Sequence, residues 1–148
     1  MSVDIAYITI EEALHIHQMT ISHSGGGSYT LLNEGMVDSI LCHIQNDDYY
    51  PEFLDKLHHL FFAFCKFHCF ADGNKRSAIT LSTFFLLKNG FLKESATFLR
   101  EMENISYHVA SGAISEELLY EILRAVLNHT YEEDDSLAFK VAQAISSF

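Results

Sequence analysis

An all-α fold is what this sequence predicts, on three observations. Apolar residues recur at helical spacing through most of the 148 residues, only one proline and seven glycines interrupt them, and cap residues stand where the periodic runs begin and end. A chain of this length forms one domain with one core. The expected architecture is a bundle of about six to seven helices, with residues 1–130 as the domain and 131–148 as a C-terminal helix packed on it.

Thr9-Ile10-Glu11-Glu12 is a capping box, so the first helix runs from there to His23. Residues 24–32 carry three glycines and read as a short exposed loop. Asn33 caps a second helix with Met36, Val37, Ile40, Leu41 and Ile44 on its inner face. Pro51 suits the first position of a third helix reaching Phe67, whose core face holds Phe53, Leu54, Leu57, Leu60, Phe61 and Phe64. A fourth, central helix spans 77–89 and stops at Gly90. The fifth spans 95–111, closed by Gly112, and the sixth 115–129, opened by Ser115. After an acidic break at 132–135, Leu137, Val141, Ile145 and Phe148 form a narrow stripe on a terminal helix.

Nine Lys and Arg against twenty Asp and Glu give a formal charge of −11, which argues against general nucleic-acid binding because a phosphate-tracking surface needs a basic stripe. Cys42, Cys65 and Cys69 are odd in number and lack scaffold spacing, so a disulfide framework is not expected. No basic-then-apolar leader precedes the first helix, and Lys66 and His68 interrupt the longest apolar run. A cytoplasmic protein that does not enter membranes is the expectation.

The chemistry concentrates in His68-Cys69-Phe70-Ala71-Asp72-Gly73-Asn74-Lys75-Arg76. An imidazole, with an ordinary pKa near ~6.5, can take a proton from a hydroxyl at cellular pH, which makes His68 the candidate general base. Gly73 permits positive φ at a turn into a helix, and an open helix start attracts anions. Asn74 can offer its side-chain amide and backbone N–H to a phosphate. Lys75 adds a point charge there and Arg76 a bidentate fork. Asp72 is a hard carboxylate suited to Mg²⁺, and equally a helix cap. Phe70 reads as a buried anchor beneath the loop.

This stretch resembles the signature of Fic/Doc proteins, His-x-Phe-x-(Asp/Glu)-Gly-Asn-(Gly or Lys)-Arg. The resemblance reaches outward to Ile21-Ser22-His23-Ser24-Gly25-Gly26 and to Phe85-Leu86-Leu87-Lys88-Asn89-Gly90, which look like segments of the death-on-curing branch, and it covers about residues 9–127. It implies a protein-modifying transferase using ATP and Mg²⁺: His68 as catalytic base, Gly73, Asn74, Lys75 and Arg76 on the nucleotide, and Asp72 on the metal. It also implies a flap at residues 25–32 that docks the target protein by strand-like pairing, and an antitoxin-like partner of a toxin. Homo-oligomerisation is compatible with the sequence.

Departures from the family pattern bear on the reaction. Lys75 and Ile79 stand where adenylylating members usually carry a glycine and a second arginine, and Lys75 resembles the phosphate-transferring death-on-curing branch. Gly73 is instead the adenylylating branch's residue. Phosphorylation of a target hydroxyl is the favoured reading, with adenylylation (AMPylation) and a catalytically silent nucleotide-binding module as alternatives. Thr30-Leu31-Leu32-Asn33-Glu34-Gly35 loosely fits a self-inhibitory pattern of the family. His58, His59, Cys65, His68 and Cys69 raise a zinc reading, but two adjacent histidines on a helix point apart and a second ligand pair is not evident.

Overall fold

The computed structural model describes residues 4–23, 33–71 and 73–147. The expected flap at 25–32, Asp72 as metal ligand, and Phe148 on the terminal stripe lie outside the described residues, as does most of the self-inhibitory pattern. Among the described residues there are seven α-helices: α1 (Ile10–His23), α2 (Glu34–His43), α3 (Phe53–Lys66), α4 (Asn74–Lys88), α5 (Leu92–Ser111), α6 (Glu116–Leu127) and α7 (Asp135–Ser146). A 3₁₀ turn at Tyr131–Glu133 precedes the last. The all-α expectation holds.

The caps explain most boundaries. Thr9 and Glu12 exchange the two bonds of a capping box, at 3.0 and 3.1 Å. Asn33 Oδ1 accepts from the Met36 N–H at 2.9 Å, and Ser115 Oγ from the Leu118 N–H at 3.1 Å. Gly90, at φ 86°, ends α4: its N–H reaches the Leu87 carbonyl and the Phe91 N–H reaches Leu86, the paired bonds of a Schellman turn. Pro51 lies one residue before the cap of α3. Glu52 holds the cap, its N–H donating to the Asp55 carboxylate at 3.0 Å.

The motif helix α4 is central, packed against α1, α3 and α5. It buries Ser77, Ala78, Ile79, Leu81, Ser82, Thr83, Phe85 and Leu86, positions that run around the cylinder instead of along one stripe. Small buried residues let its neighbours approach closely. α1 runs antiparallel to it: Ile21 near the end of α1 meets Gly73 at the start of α4, while Glu12 near the start of α1 pairs with Lys88 near the end of α4 at 2.9 Å. α3 packs against α2, α4, α5 and α6 and brings Phe61 and Phe64 into the core, with Phe61 edge-on to Phe98 at 5.5 Å. Leu137 is buried where α7 meets α6.

Candidate active site

The site begins where α3 stops. Phe67, at φ −94° and ψ 123°, leaves helical geometry and turns the chain outward, so His68 is exposed while Cys69 and Phe70 return to the core. Three contacts fix this loop. The Cys69 carbonyl accepts from the Asn33 N–H at 3.1 Å, tying it to the start of α2. The Phe70 ring, 1% exposed, stacks on His17 at 3.7 Å between centroids and 8° between planes, with Phe64 stacked at 6.2 Å. Asn74 then clamps the Phe70 backbone from both sides: Nδ2 donates to the carbonyl at 2.8 Å and Oδ1 accepts from the N–H at 3.1 Å. The side chain of Asn74 therefore holds the loop, and its backbone N–H is what residue 74 presents at the helix start.

Gly73 occupies the left-handed region at φ 75° and ψ 23°, and supplies no capping side chain. A Cβ there would collide with Ile21 Cδ1 and lie 3.6 Å from His17 Cε1, so both backbone angle and space select glycine. The first helical bond runs from the Ser77 N–H to the Gly73 carbonyl at 2.8 Å; the N–H groups before it have no partner within the helix's own bonding pattern. Among the seven described α-helices, α4 alone has no acid in its first turn. Two exposed cations, Lys75 and Arg76, occupy that turn instead. The macrodipole and these charges act together on an incoming anion.

His17, beneath the loop, escaped the sequence reading. It is 2% exposed, and its Nδ1 lies 2.7 Å from Ser77 Oγ in the first turns of α4. The available signal was a histidine within the buried stripe Ala13, His17, Thr20 and Ile21 of α1. Beside it the Thr20 and Thr80 hydroxyls meet at 2.9 Å, adding a second polar contact between the two antiparallel helices.

The zinc grouping is taken apart by packing. Burial pushes the Cys65 thiol up to about 12 despite the nearby Lys75 and Lys66 ammoniums, and the Cys69 thiol up to about 11. His58 Nε2 meets the Glu116 carbonyl at 2.8 Å, whereas His59 lies against Tyr50. Among the described residues no group of three or more His, Cys, Asp or Glu side chains could hold a metal ion. No described helix is long and apolar enough to cross a membrane.

No curated protein matches the chain. The model of the Fic/DOC family matches residues 7–86, more than half of the sequence. The match runs from the segment entering α1 to the last turns of α4, and so takes in every element that shapes the loop and the open helix start. On that extent, and with the motif of residues 68–76 inside it, the chain belongs to the Fic/DOC family.

Proposed function

We propose that this Fic-domain protein transfers the γ-phosphoryl group of ATP to a hydroxyl side chain of a target protein, in the manner of a Doc-like toxin acting in the cytoplasm and restrained by an antitoxin-like partner. The observation that carries the reading is the start of α4: without an acid in its first turn, capped by glycine, bearing Lys75 and Arg76, and led into by a pinned loop on which His68 is exposed. The target oxygen attacks the γ-phosphorus, the bond from that phosphorus to the ADP oxygen breaks, and His68 takes the proton of the attacking hydroxyl. The N–H groups at the start of α4, with Lys75 and Arg76, hold and orient the phosphates. Asp72, a hard oxygen donor beside that turn, would hold Mg²⁺, which neutralises phosphate charge when bound. Residues 25–32 are the segment along which the target is expected to dock.

Lys75 favours γ-transfer over adenylylation, because a side-chain cation in the first turn changes where a triphosphate can lie. Gly73 does not argue the other way, since its φ and the closeness of Ile21 account for it. The test is incubation with cell lysate and ATP labelled separately at the α and γ positions. Label from the γ position on a protein, lost in a folded His68→Ala variant, is the expected result. Label from the α position establishes adenylylation. Unchanged labelling, or unchanged growth inhibition, in folded His68→Ala would remove His68 from its role.

A further inference from the structure

We propose that His17 is the positioning residue of this site, setting the angle between the loop that carries His68 and the start of α4. The inference rests on the proposed nucleotide site at that helix start. Two paths lead from His17 into the first turns of α4. Along one, its ring lies flat on Phe70 at 3.7 Å, and the Phe70 backbone is clamped by Asn74, the first residue of the helix. Along the other, Nδ1 meets Ser77 Oγ at 2.7 Å, one turn deeper. Between them, Cε1 lies 3.6 Å from where a Cβ at Gly73 would stand, beside the Ile21 tip that fills that space.

Side-chain chemistry explains why histidine stands here. Phenylalanine or tyrosine could stack on Phe70 but would put carbon where Nδ1 meets Ser77, and asparagine or glutamine could reach Ser77 but offers no ring to Phe70. A planar ring with a polar edge does both. With Ser77 fully buried, the bond is shielded from water. His68 lies two residues before Phe70, so tilting the Phe70 ring shifts the base and the anion cradle relative to each other. Misplacement by about 1 Å is enough to cost a reaction on the order of a hundredfold.

The experiment measures the Kd for MgATP by calorimetry, well below the melting temperature, in wild type, His17→Phe, Ser77→Ala and the double variant, with circular dichroism as the check on folding. His17→Phe keeps the stack and deletes the nitrogen; Ser77→Ala deletes only its partner. Each single variant should weaken binding about fivefold, as loss of one hydrogen bond does, and the double should be no weaker than the weaker single. Folded variants that bind as wild type does, or losses that multiply, would overturn the proposal. If wild type itself does not bind MgATP, the nucleotide reading fails, and positioning is then judged by exchange of the Phe70 amide, which reports the Asn74 clamp. Exchange about tenfold faster in the variants than in wild type supports positioning; an unchanged rate overturns it. Should His17→Phe not fold, Ser77→Ala decides alone on the same readouts.

Discussion

Replacing Gly73 by alanine tests whether the motif turn is shaped by backbone angle, by packing, or by both. At φ 75° an alanine Cβ meets the left-handed penalty, about 1–2 kcal/mol. The same Cβ collides with Ile21 Cδ1, and Ile21 is 0% exposed, so its tip has no solvent to swing into. Overpacking of this kind costs about 1–3 kcal/mol, which brings the expected loss for Gly73→Ala to about 2–5 kcal/mol. Ile21→Val removes the colliding carbon and by itself should cost about 0.5–1.5 kcal/mol. In the double variant the new methyl takes the space Cδ1 vacates, leaving chiefly the backbone penalty of about 1–2 kcal/mol. Urea unfolding of all four proteins gives the coupling, expected at about 1.5–4.5 kcal/mol in the rescuing direction, since the double variant recovers both the overpacking and the vacated space. Additivity to within about 0.5 kcal/mol would refute the packing half of the reasoning and leave φ as the only reason for glycine.

The other expectations concern charge and reactivity. Lys56 is fully buried, its Nζ donating to the Ile44 carbonyl at 2.7 Å and to Asp47 at 2.8 Å. Lys56→Met should cost about 1–3 kcal/mol at pH 7. Burial pulls its pKa down, but the Asp47 and Tyr7 contacts outweigh that and raise it above the ordinary lysine value. Its contribution is therefore full below about 10.4 and fades as pH climbs through the folded value. Above pH 7 the stability gap between wild type and Lys56→Met should hold and then narrow at the alkaline end of a pH series; a gap that already closes between pH 7 and about 9 contradicts the assignment. Of the three cysteines only Cys42 is exposed, so native protein at pH 8 should take up one equivalent of iodoacetamide and unfolded protein three. Lys75→Glu puts an acid at the positive end of α4, and should raise stability by about 1 kcal/mol, seen as about 3 °C in the melting temperature, while weakening MgATP at least tenfold. A stabilised variant that still binds MgATP normally would show that phosphates lie elsewhere.

Most of the fold was legible because its boundaries are written in local chemistry. Thr9 with Glu12, Asn33, Ser115, Gly90 and Gly112 each satisfy backbone groups within a few residues, and such bonds need no knowledge of the rest of the chain. α4 and α5 each begin three residues before the expected starts at 77 and 95, for a shared reason. Asn74 and Ser95 are residue types that normally precede a helix, yet here each bonds backward from inside the first turn, Asn74 to Phe70 and Ser95 Oγ to the Phe91 carbonyl at 2.6 Å. The motif itself was readable as a contiguous string. His17 and Lys56 were not, because each is defined by partners on other elements: Phe70 and Ser77 for the one, Ile44, Asp47 and the Tyr7 ring at 5.6 Å for the other. A polar residue in a buried stripe announces that it has partners without saying which.

The open end of α4 reverses the pattern that stabilises the rest of the molecule. Six described helices begin with an acid, each offsetting part of a positive terminus by about 0.3–1 kcal/mol, whereas the first turn of the seventh carries Lys75 and Arg76 in place of an acid. In a chain of formal charge −11, two adjacent cations on a helix start also concentrate positive potential where an acidic surface elsewhere repels anions. Such a terminus would fray an exposed amphipathic helix, whose end carries much of its stability. α4 is held by packing against α1, α3 and α5, with Phe85, Leu81 and Ala78 fully buried, and each buried large side chain contributes about 1.5–3 kcal/mol. The helix whose first turn carries cations in place of an acid is thus one that packing holds from three neighbours.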